Sequence, residues 1–559
     1  MLEGTCDSAR TFGPFDRGER PMARNNKHKH ARYDINIIMI VMTKINMNIF
    51  LQAFIAGTLS ALAFAPFDLF LPMVISVSWF YILLEESAKL PRKKVFLLGL
   101  AYGAGYFLAG NYWISISLLI DAARFGWLLP FSVTLFSVGL GLFFGFFAVA
   151  VNYLFNRYKF ETSRKVLLFA MIWLGFELVR GYIFTGFPWN LAGYAMMFSD
   201  ISMQSASIFG VYGLSFFTVI FCLIPVLYFY GKRQDRIFSY FLLLLFAGNL
   251  VFGFLRLENA SLELMGKKIR LVQGNIKQSM KWDRDEKYSN FTKHLKISKS
   301  TDHEKVDGFI WSETSIPYPF GFNETVDLAV KKLVTDNDQF LISGALRIEL
   351  DKFSGRVSKA FNSVYLFNKD DIEHYDKHHL VPFGEYIPLQ KYLPFVEKIT
   401  GGGEGFASGP GPKTIEIDGI KVSPLVCYEV IFPYNVVEGG KRPDLFVNVT
   451  NDAWFLTSSG PYQHLNISKM RAVEYGISMA RVANTGVSAY IDPFGRIVDQ
   501  IALNKAGSID VEIIRPIKST ILSHYKYFML LYMLLAVIVL EKMFTTLIKP
   551  KENEKLTKY

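Results

Sequence analysis

Eight apolar stretches constrain the fold of this chain more than any other feature of its sequence. They lie at 49–65, 69–84, 95–119, 127–154, 166–185, 208–230, 237–255 and 527–548. A helix needs about 20 residues to cross a bilayer, and within lipid each backbone group must find its hydrogen bond inside its own segment. The sequence therefore predicts a polytopic α-helical membrane bundle of about eight spans, of which the second and fifth are short or interrupted.

The basic residues of the short loops indicate which side of the membrane each loop faces. They cluster after the second, fourth and sixth stretches, whereas the alternate loops carry at most one basic residue each. Because Lys and Arg favour the cytoplasmic side, both termini are predicted to be cytoplasmic and the region after the seventh stretch to lie outside the cytoplasm. These loops and tails account for much of the net charge of +11, so nucleic-acid binding is not expected.

Composition divides the chain into five segments. Residues 1–48 form a polar, basic leader without the apolar core and cleavage site of a signal peptide, and the true start is expected at Met42 or Met47. The other expected segments are a seven-span membrane domain at 49–256, a soluble catalytic domain at 267–516, a last transmembrane helix at 527–548 and a cytoplasmic tail at 549–559.

The soluble region alternates short β-rich runs with longer amphipathic stretches, which is typical of a single α/β domain. Candidate helices cover about 284–299, 324–336 and 461–476, and Asp492–Gly495 predicts the turn of a hairpin. The candidate strands are Ile269–Asn275, Gly308–Ser312, Phe340–Leu346, Ser363–Phe367, Val422–Cys427, Leu445–Val449 and Val487–Asp492.

Three polar residues, Glu313, Lys377 and Cys427, lie at or near strand ends in this region. Cys6 lies in the leader and Cys222 in an apolar stretch, so Cys427 is the one thiol of the soluble region. A carboxylate can take the thiol proton, the thiolate can attack a carbonyl carbon, and the ammonium can stabilise the oxyanion that forms. Each residue also has an ordinary alternative, since a strand-end cysteine is more often a small buried hydrophobe and a lone Glu or Lys a solvated charge.

The sequences around these residues resemble those of a known family. They are Leu271–Ile276 with Trp282, Trp311–Pro317, Tyr375–Pro388, Val426–Glu429, Thr450–Phe455 and Ala483–Gly486, with Glu177–Gly181 and Thr185–Trp189 in the membrane part. From about residue 50 to 545 the chain resembles the apolipoprotein N-acyltransferases, the membrane branch of the nitrilase (carbon–nitrogen hydrolase) superfamily. The resemblance implies an α-β-β-α sandwich for the soluble domain, and a bacterial inner-membrane protein with that domain in the periplasm.

The resemblance also implies roles for the candidate residues. Glu313 is expected to be the general base, Lys377 the oxyanion stabiliser and Cys427 the nucleophile that carries the acyl group. The implied supporting or substrate-binding residues are Trp282, Glu385, Tyr428 and Glu429. Ordinary core packing remains the alternative for Trp282 and Tyr428.

The implied reaction is a ping-pong transfer through a thioester. The acyl donor is a membrane phospholipid, expected to be phosphatidylethanolamine, and the acceptor is the N-terminal α-amine of the diacylglyceryl-cysteine of an apolipoprotein. Neither a cofactor nor a metal is expected. His378 and His379 are adjacent, so their side chains diverge, and no third ligand is suitably spaced for zinc.

Two local features depart from simple patterns. Leu456 follows Asn451–Phe455, where the family usually has glycine. The glycine-rich run Thr400–Pro412 lacks the Gly-Lys-Ser/Thr ending of a phosphate loop. It is either a mobile loop, with the apolar Tyr392–Val396 reaching into lipid, or a plain surface linker.

Two other functions share part of this evidence. A membrane-tethered nitrilase-type amidase or hydrolase would use the same triad but pass the acyl group to water. A transporter with an inert soluble domain is disfavoured, because the sequence has no visible internal repeat. The fate of the acyl group separates the first alternative, and loss of all function in Cys427→Ala would exclude the second.

The predicted topology can be tested with a reporter enzyme that works only outside the cytoplasm. Fused near Gly419, between the seventh and eighth stretches, it is expected to be active, and fused near Lys232, after the sixth, it should be silent. A silent fusion near Gly419 would overturn the orientation.

Overall fold

The computed structural model describes residues 47–158, 160–388 and 405–526, together with Leu531 and Leu535. Most of the leader, the predicted lipid-reaching segment Tyr392–Val396 and nearly all of the last apolar stretch lie outside the described residues. The membrane part contains nine α-helices: α1 Ile49–Leu59, α2 Phe70–Glu86, α3 Arg92–Asn111, α4 Ala122–Phe125, α5 Leu129–Arg157, α6 Thr162–Tyr182, α7 Ala206–Cys222, α8 Ile224–Tyr230 and α9 Arg233–Glu258, counted over the described residues.

Four helical segments of the described chain are long and apolar enough to cross a membrane. They are Ala122–Arg157, Thr162–Thr185, Ala206–Tyr230 and Arg233–Glu258, and they coincide with the fourth to seventh predicted stretches. The first stretch forms the shorter apolar helix Ile49–Ala63. The total of eight spans therefore stays a prediction.

Helices α1 and α3 cross at a close backbone contact that only glycine permits. A Cβ atom on Gly57 would lie 1.9 Å from the main-chain oxygen of Tyr102, and one on Gly105 would lie 2.1 Å from that of Phe54. Helices in lipid associate chiefly through close van der Waals packing, and small residues allow their backbones to approach. This crossing fixes the first helices of the membrane part against each other.

The soluble region is an α/β domain with two six-stranded sheets, as the sequence predicts. Its strands are β1 Leu264–Gln273, β2 Gly308–Trp311, β3 Phe340–Leu350, β4 Val357–Phe367, β5 Ile372–Asp376, β6 Ile415–Ile417, β7 Ile420–Val426, β8 Leu445–Thr450, β9 Ser478–Ala483, β10 Ser488–Ile491, β11 Ile497–Ile501 and β12 Gly507–Ile514. The strand orders are β12-β1-β2-β3-β4-β5 and β11-β10-β9-β8-β7-β6. In each sheet three central strands run parallel and the outer strands antiparallel.

The inner faces of the two sheets form one apolar core. Ile269 and Ile342 from the first sheet belong to the same buried cluster as Val447 and Val482 from the second. The remaining helices are α10 Gln278–Lys281, α11 Lys287–Ser298, α12 Glu324–Thr335, α13 Gly460–Tyr475 and α14 Ile521–Tyr525. The three helices predicted at 284–299, 324–336 and 461–476 are thus confirmed as α11, α12 and α13.

Helix α13 joins the soluble domain to the membrane part. Gln463 accepts hydrogen bonds from the indoles of Trp113 and Trp189 at 3.2 and 2.8 Å. Further along the helix, Lys469 forms an ion pair of 2.9 Å with Asp200, and Glu474 Oε1 accepts from a backbone amide of α7 at 2.7 Å. Gln463 and Glu474 are about three helical turns apart and lie on one face of α13, whereas Lys469 lies roughly 120° around the helix from Gln463. The contacts with the membrane part therefore cover a broad side of α13.

Replacing Gly57 with leucine should prevent the α1–α3 crossing. The new side chain would overlap the backbone of α3, which cannot move aside, so we expect destabilisation of at least about 1–3 kcal/mol and little folded protein. Thermal unfolding in detergent measures the effect. Gly139→Leu is the matched control, because nothing lies within 4 Å of a Cβ atom at that position, and equal stability of the two variants would contradict the assigned crossing.

Candidate active site

Three strand ends bring Glu313, Lys377 and Cys427 to one cavity. Glu313 follows β2, Lys377 follows β5 directly and Cys427 follows β7 directly, and all three line the same cavity. β2 and β5 belong to the first sheet, with β3 and β4 between them, and β7 belongs to the second, so the site lies where strand ends of the two sheets meet. Residues more than 40 positions apart in the sequence therefore become neighbours.

An amide that the sequence analysis missed connects the two carboxylates of the site. Asn362 Nδ2 donates to Glu313 Oε1 at 2.7 Å and to Glu385 Oε1 at 2.9 Å. Lys377 Nζ lies 2.9 Å from Glu385 Oε2 and is 1% exposed. Glu313, Asn362, Glu385 and Lys377 thus form one buried hydrogen-bonded chain in which the Lys377 ammonium has a fixed position.

The thiol of Cys427 is protonated at neutral pH. Burial, and secondarily the negative charge of Glu313, raise the pKa of Cys427 to about 12, and the ammonium of Lys377 offsets only part of this. The side chain is partly accessible because it faces the cavity, yet protein surrounds it on every other side. A nucleophile with this pKa needs a base that removes its proton during attack.

Glu313 and Lys377 have pKa values suited to such a step. Burial raises the pKa of Glu313 above its usual value, which brings the carboxylate closer to the range of a base that works near neutral pH. Burial by itself would lower the pKa of Lys377, but the carboxylates of Glu385 and Glu313 outweigh it and raise that pKa. Lys377 therefore remains an ammonium.

The backbone of Cys427 adopts an uncommon conformation. Its φ is +50°, a left-handed value that non-glycine residues rarely take, and the residue begins a 3-10 turn over Cys427–Ile431. Its carbonyl oxygen lies 3.2 Å from His464 Nε2 and accepts a 3.4 Å hydrogen bond from Asn448 Nδ2. These contacts hold the turn that presents the sulfur to the cavity.

A second buried polar network lies behind that turn. His464 Nδ1 is 3.0 Å from Asp452 Oδ1, and Arg481 Nη2 donates to Asp452 Oδ2 at 2.7 Å. Burial works against the charge of Asp452, but Arg481 and His464 outweigh it and lower the pKa of that carboxyl. One member of this network, Asp452, lies in the segment Thr450–Phe455, whose resemblance to the family was the sequence feature that pointed to this region.

Glu429 connects the segments that carry Lys377 and Cys427. Its carboxylate accepts hydrogen bonds from the backbone amides of His378 at 2.8 Å and Val426 at 2.7 Å, and from the hydroxyl of Tyr375 at 2.9 Å. Burial opposes its charge, yet the His378 side chain, the ammonium of Lys377 and the backbone amide of Val426 outweigh it and lower the pKa of Glu429. The residue therefore holds the two segments together.

Tyr428 and Trp282 both line the cavity. The hydroxyl of Tyr428 donates to the main-chain oxygen of Gly186 at 3.0 Å, which ties the site to the segment after α6. Trp282 is 37% exposed, and the ammonium of Lys287 lies 5.6 Å from the centre of its ring. In α6, Glu177 accepts a hydrogen bond from the backbone amide of Ala192, and Arg180 donates to the main-chain oxygens of Phe187 and Trp189.

Leu456 takes a backbone conformation that favours glycine. Its φ is +47° and its ψ is −142°, and the side chain is 45% exposed. A Cβ atom in such a region costs of order 1–3 kcal/mol. The resemblance leads us to expect glycine at this position. This chain has leucine there, yet the backbone keeps a conformation that favours glycine.

The cavity itself is large and mixed in character. It has a volume of about 1600 Å³, above the roughly 300–1,000 Å³ usual for small-molecule sites. Glu313, Lys377 and Cys427 lie on one wall, and the first turns of α5 form another. The α5 wall is apolar, with Phe131, Leu135, Phe136, Leu140 and Phe143.

Both the membrane part and the soluble part of the chain match known protein families. The family model for the apolipoprotein N-acyltransferase N-terminal domain matches residues 56–224, and that for carbon-nitrogen hydrolase matches 268–517. The chain is 37% identical over 461 residues to an apolipoprotein N-acyltransferase of Rickettsia typhi, covering 82% of this chain and 90% of that protein. A protein of the same name from Rhizobium rhizogenes is 35% identical over 481 residues, with 82% and 89% covered.

Among solved structures, the chain is similar to a CN-hydrolase superfamily protein from Xanthomonas campestris. The sequence identity is 20%, 44% of this chain and 90% of that chain are covered, and the TM-score is 0.33.

Replacing Asn362 with aspartate tests the buried chain. The donor between Glu313 and Glu385 would become a third carboxylate, so we expect the alkylation of Cys427 by iodoacetamide to slow by roughly tenfold or more, as a shift of one pKa unit implies. Mass spectrometry of the full-length protein measures the rate. Asn368→Asp is the control. The side-chain oxygen of Asn368 accepts hydrogen bonds from the backbone amides of Asp370 and Asp371, and an aspartate oxygen can accept the same bonds. An unchanged alkylation rate in Asn362→Asp would show that the buried hydrogen-bonded chain does not affect the reactivity of the Cys427 thiol.

Proposed function

The chain belongs to the apolipoprotein N-acyltransferase family, and from that premise we propose how it works. It transfers a fatty acyl chain from a membrane phospholipid to the N-terminal α-amine of the diacylglyceryl-cysteine of an apolipoprotein. Cys427 carries the acyl group as a thioester between the two half-reactions. The Glu313, Lys377 and Cys427 triad and the ping-pong order are part of this proposal.

One observation carries the proposal: a single cavity connects the thiol with the apolar face of a membrane helix. Cys427 and Leu135 line the same space of about 1600 Å³. Phe131 and Leu135 are also 58% and 70% exposed, so this wall continues into the apolar outer surface of α5. A lipid chain can therefore lie along α5 while its ester reaches the sulfur, which a small soluble amide would not require.

The first half-reaction follows from the pKa values and contacts. Glu313 takes the proton of the Cys427 thiol as the sulfur attacks the ester carbonyl of the phospholipid. The carbonyl oxygen becomes an oxyanion, which the ammonium of Lys377 stabilises. When the intermediate collapses, the carbon–oxygen bond breaks, and Glu313 returns the proton to the leaving alkoxide. The products are the thioester and a lysophospholipid.

The second half-reaction uses the same groups in the same order. The α-amine of the acceptor attacks the thioester, Glu313 takes a proton from its nitrogen, and Lys377 again faces the oxyanion. Collapse breaks the carbon–sulfur bond, and the proton on Glu313 restores the thiol. Water would hydrolyse the thioester, and the aromatic lining residues Trp113, Trp189 and Phe455 support a site from which water is excluded.

Finer assignments belong to the same proposal. The donor is phosphatidylethanolamine, the protein lies in a bacterial inner membrane with its catalytic domain in the periplasm, and both termini are cytoplasmic. The membrane domain spans 49–256, the catalytic domain 267–516, and the chain crosses the bilayer about eight times. Trp282 and Tyr428 contact substrate, since both line the cavity, whereas Glu385 and Glu429 position the triad.

An acyl-tracking experiment tests the function. Membranes containing the full-length protein receive phosphatidylethanolamine with a tagged acyl chain and a diacylglyceryl-cysteine peptide. We expect a hydroxylamine-labile tag on the enzyme that then moves to the peptide amine, and no tag at all on Cys427→Ala. Cys222→Ala is the matched control, because that thiol is buried in α7, and it should behave as wild type.

Two results would contradict the proposal. A tag that reaches the enzyme but appears only as free fatty acid would mean that water is the acceptor and that the chain is a hydrolase. An enzyme that is never tagged would mean that phosphatidylethanolamine is not the donor.

A further inference from the structure

A second buried lysine lies beside the triad. Among the described residues the buried lysines are Lys377 and Lys281, which are 1% and 5% exposed. Lys281 ends the short helix α10, and its Nζ donates to the main-chain oxygen of Glu313 at 2.8 Å. Burying an ammonium is costly unless nearby groups compensate for it, so its place next to Glu313 requires an explanation.

The charges of the Glu313 and Glu385 carboxylates and of the Lys377 ammonium balance only when Lys281 is counted with them. The carboxylate of Glu429 lies outside this group, because it bonds to a histidine and to backbone amides. Glu313 and Glu385 contribute two buried carboxylates, which are 8% and 7% exposed, and Lys377 contributes one ammonium. Lys377 is paired with Glu385 at 2.9 Å, which leaves the charge of Glu313 to the neighbouring Lys281. Two carboxylates and two ammoniums make a neutral set.

Neutrality matters for activation of the thiol. When Glu313 takes the proton of Cys427, the negative charge moves from oxygen to sulfur within this set, and the total stays at zero. Without the ammonium of Lys281 the set would carry one negative charge in a buried place, and a thiolate would form next to uncompensated carboxylate.

We propose that Lys281 is a positioning residue of the acyl-transfer site, which fixes Glu313 through its main-chain oxygen and supplies the charge that balances it. This inference rests on the proposed roles of Glu313 and Cys427. Lys281 acts through these groups and does not contact the reacting carbonyl.

The groups that face Lys281 are Glu313, Cys427 and His294, which lie on three different elements. Burial lowers the pKa of Lys281 to about 8, and Glu313 and Cys427 oppose this only in part. Burial lowers the pKa of His294 to about 4, so that ring is neutral over the working range. Lys377 keeps its proton because its pKa is raised.

The direction of the pH dependence follows. As pH rises through about 8, Lys281 loses its proton, the set acquires a net negative charge, and formation of the thioester should slow. An arginine at the same position stays charged at every pH used in such assays. In Lys281→Arg the alkaline decline should therefore move to higher pH, which a purely structural hydrogen bond would not cause.

The experiment compares full-length wild type with Lys281→Met, Lys281→Arg and Lys277→Met. Lys277 is exposed at the start of the same short helix and serves as the matched control. Two rates are measured: transfer of the tagged acyl chain onto Cys427 between pH 6 and 10, and alkylation of Cys427 by iodoacetamide at pH 7. Thermal unfolding shows which variants fold.

We expect Lys281→Met to slow both rates by roughly tenfold or more, while Lys277→Met matches wild type. Lys281→Arg should regain acyl transfer and extend it to higher pH. Wild-type rates in Lys281→Met would overturn the inference. If Lys281→Met does not fold, the arginine variant decides, and an alkaline decline that stays near pH 8 overturns it.

The outcome also separates this inference from the proposed function. If wild type never acquires the tag, the proposed phospholipid donor is wrong, whereas the alkylation rates still report whether Lys281 supports activation of the thiol. If wild type acquires the tag and Lys281→Met acquires it equally fast, the function stands and only the role of Lys281 is lost.

Discussion

The docking of helix α13 is the contact on which the rest of the molecule depends. Gln463 accepts hydrogen bonds from two tryptophans of the membrane part and donates to the main-chain oxygens of Ala65 and Gly110 at 3.3 and 3.2 Å. The next residue, His464, contacts the carbonyl of Cys427. Successive residues on a helix point about 100° apart, so α13 contacts the membrane part with one side chain and the backbone of Cys427 with the next.

This arrangement explains how a soluble hydrolase-like site can work on a lipid. The sulfur has a fixed position relative to α5, because α13 is anchored on both sides. The cavity between them is bounded by polar groups at the sulfur and by aromatic and aliphatic side chains along α5. Under the proposed function, the lipid chain lies along the α5 wall while its ester reaches the sulfur.

The chemistry of the site is set by buried charge. Burial raises the pKa of the Cys427 thiol, so the nucleophile role proposed for it requires a base. Burial also raises the pKa of Glu313, so that carboxylate is a stronger base than it would be in water. Asn362, Lys377 and Glu429 hold these groups in place through buried hydrogen bonds, and contacts from neighbouring residues maintain the uncommon backbone conformation of Cys427.

The periodic and local features of this protein were predictable from its amino-acid pattern. Apolar length identified four membrane helices, amphipathic spacing identified α11, α12 and α13, and Asp492–Gly495 identified the turn between β10 and β11. These signals are readable because they depend on neighbours in the chain. No spacing rule connects Glu313, Lys377 and Cys427. We identified them because the sequence segments around them resemble those of a known family.

The set of polar residues that are buried together is visible only in the folded chain. Strand β9 was missed because Arg481 makes it look solvated, whereas in the fold that side chain is fully buried against Asp452. Asn362, Lys281 and His464 were also missed, because a polar residue is ordinarily expected to be solvated. The sequence does not show whether a given polar residue is buried or exposed to solvent. The hydrogen-bond partner that makes its burial possible lies up to 50 positions away, at no fixed spacing. Their roles therefore follow from packing and not from pattern.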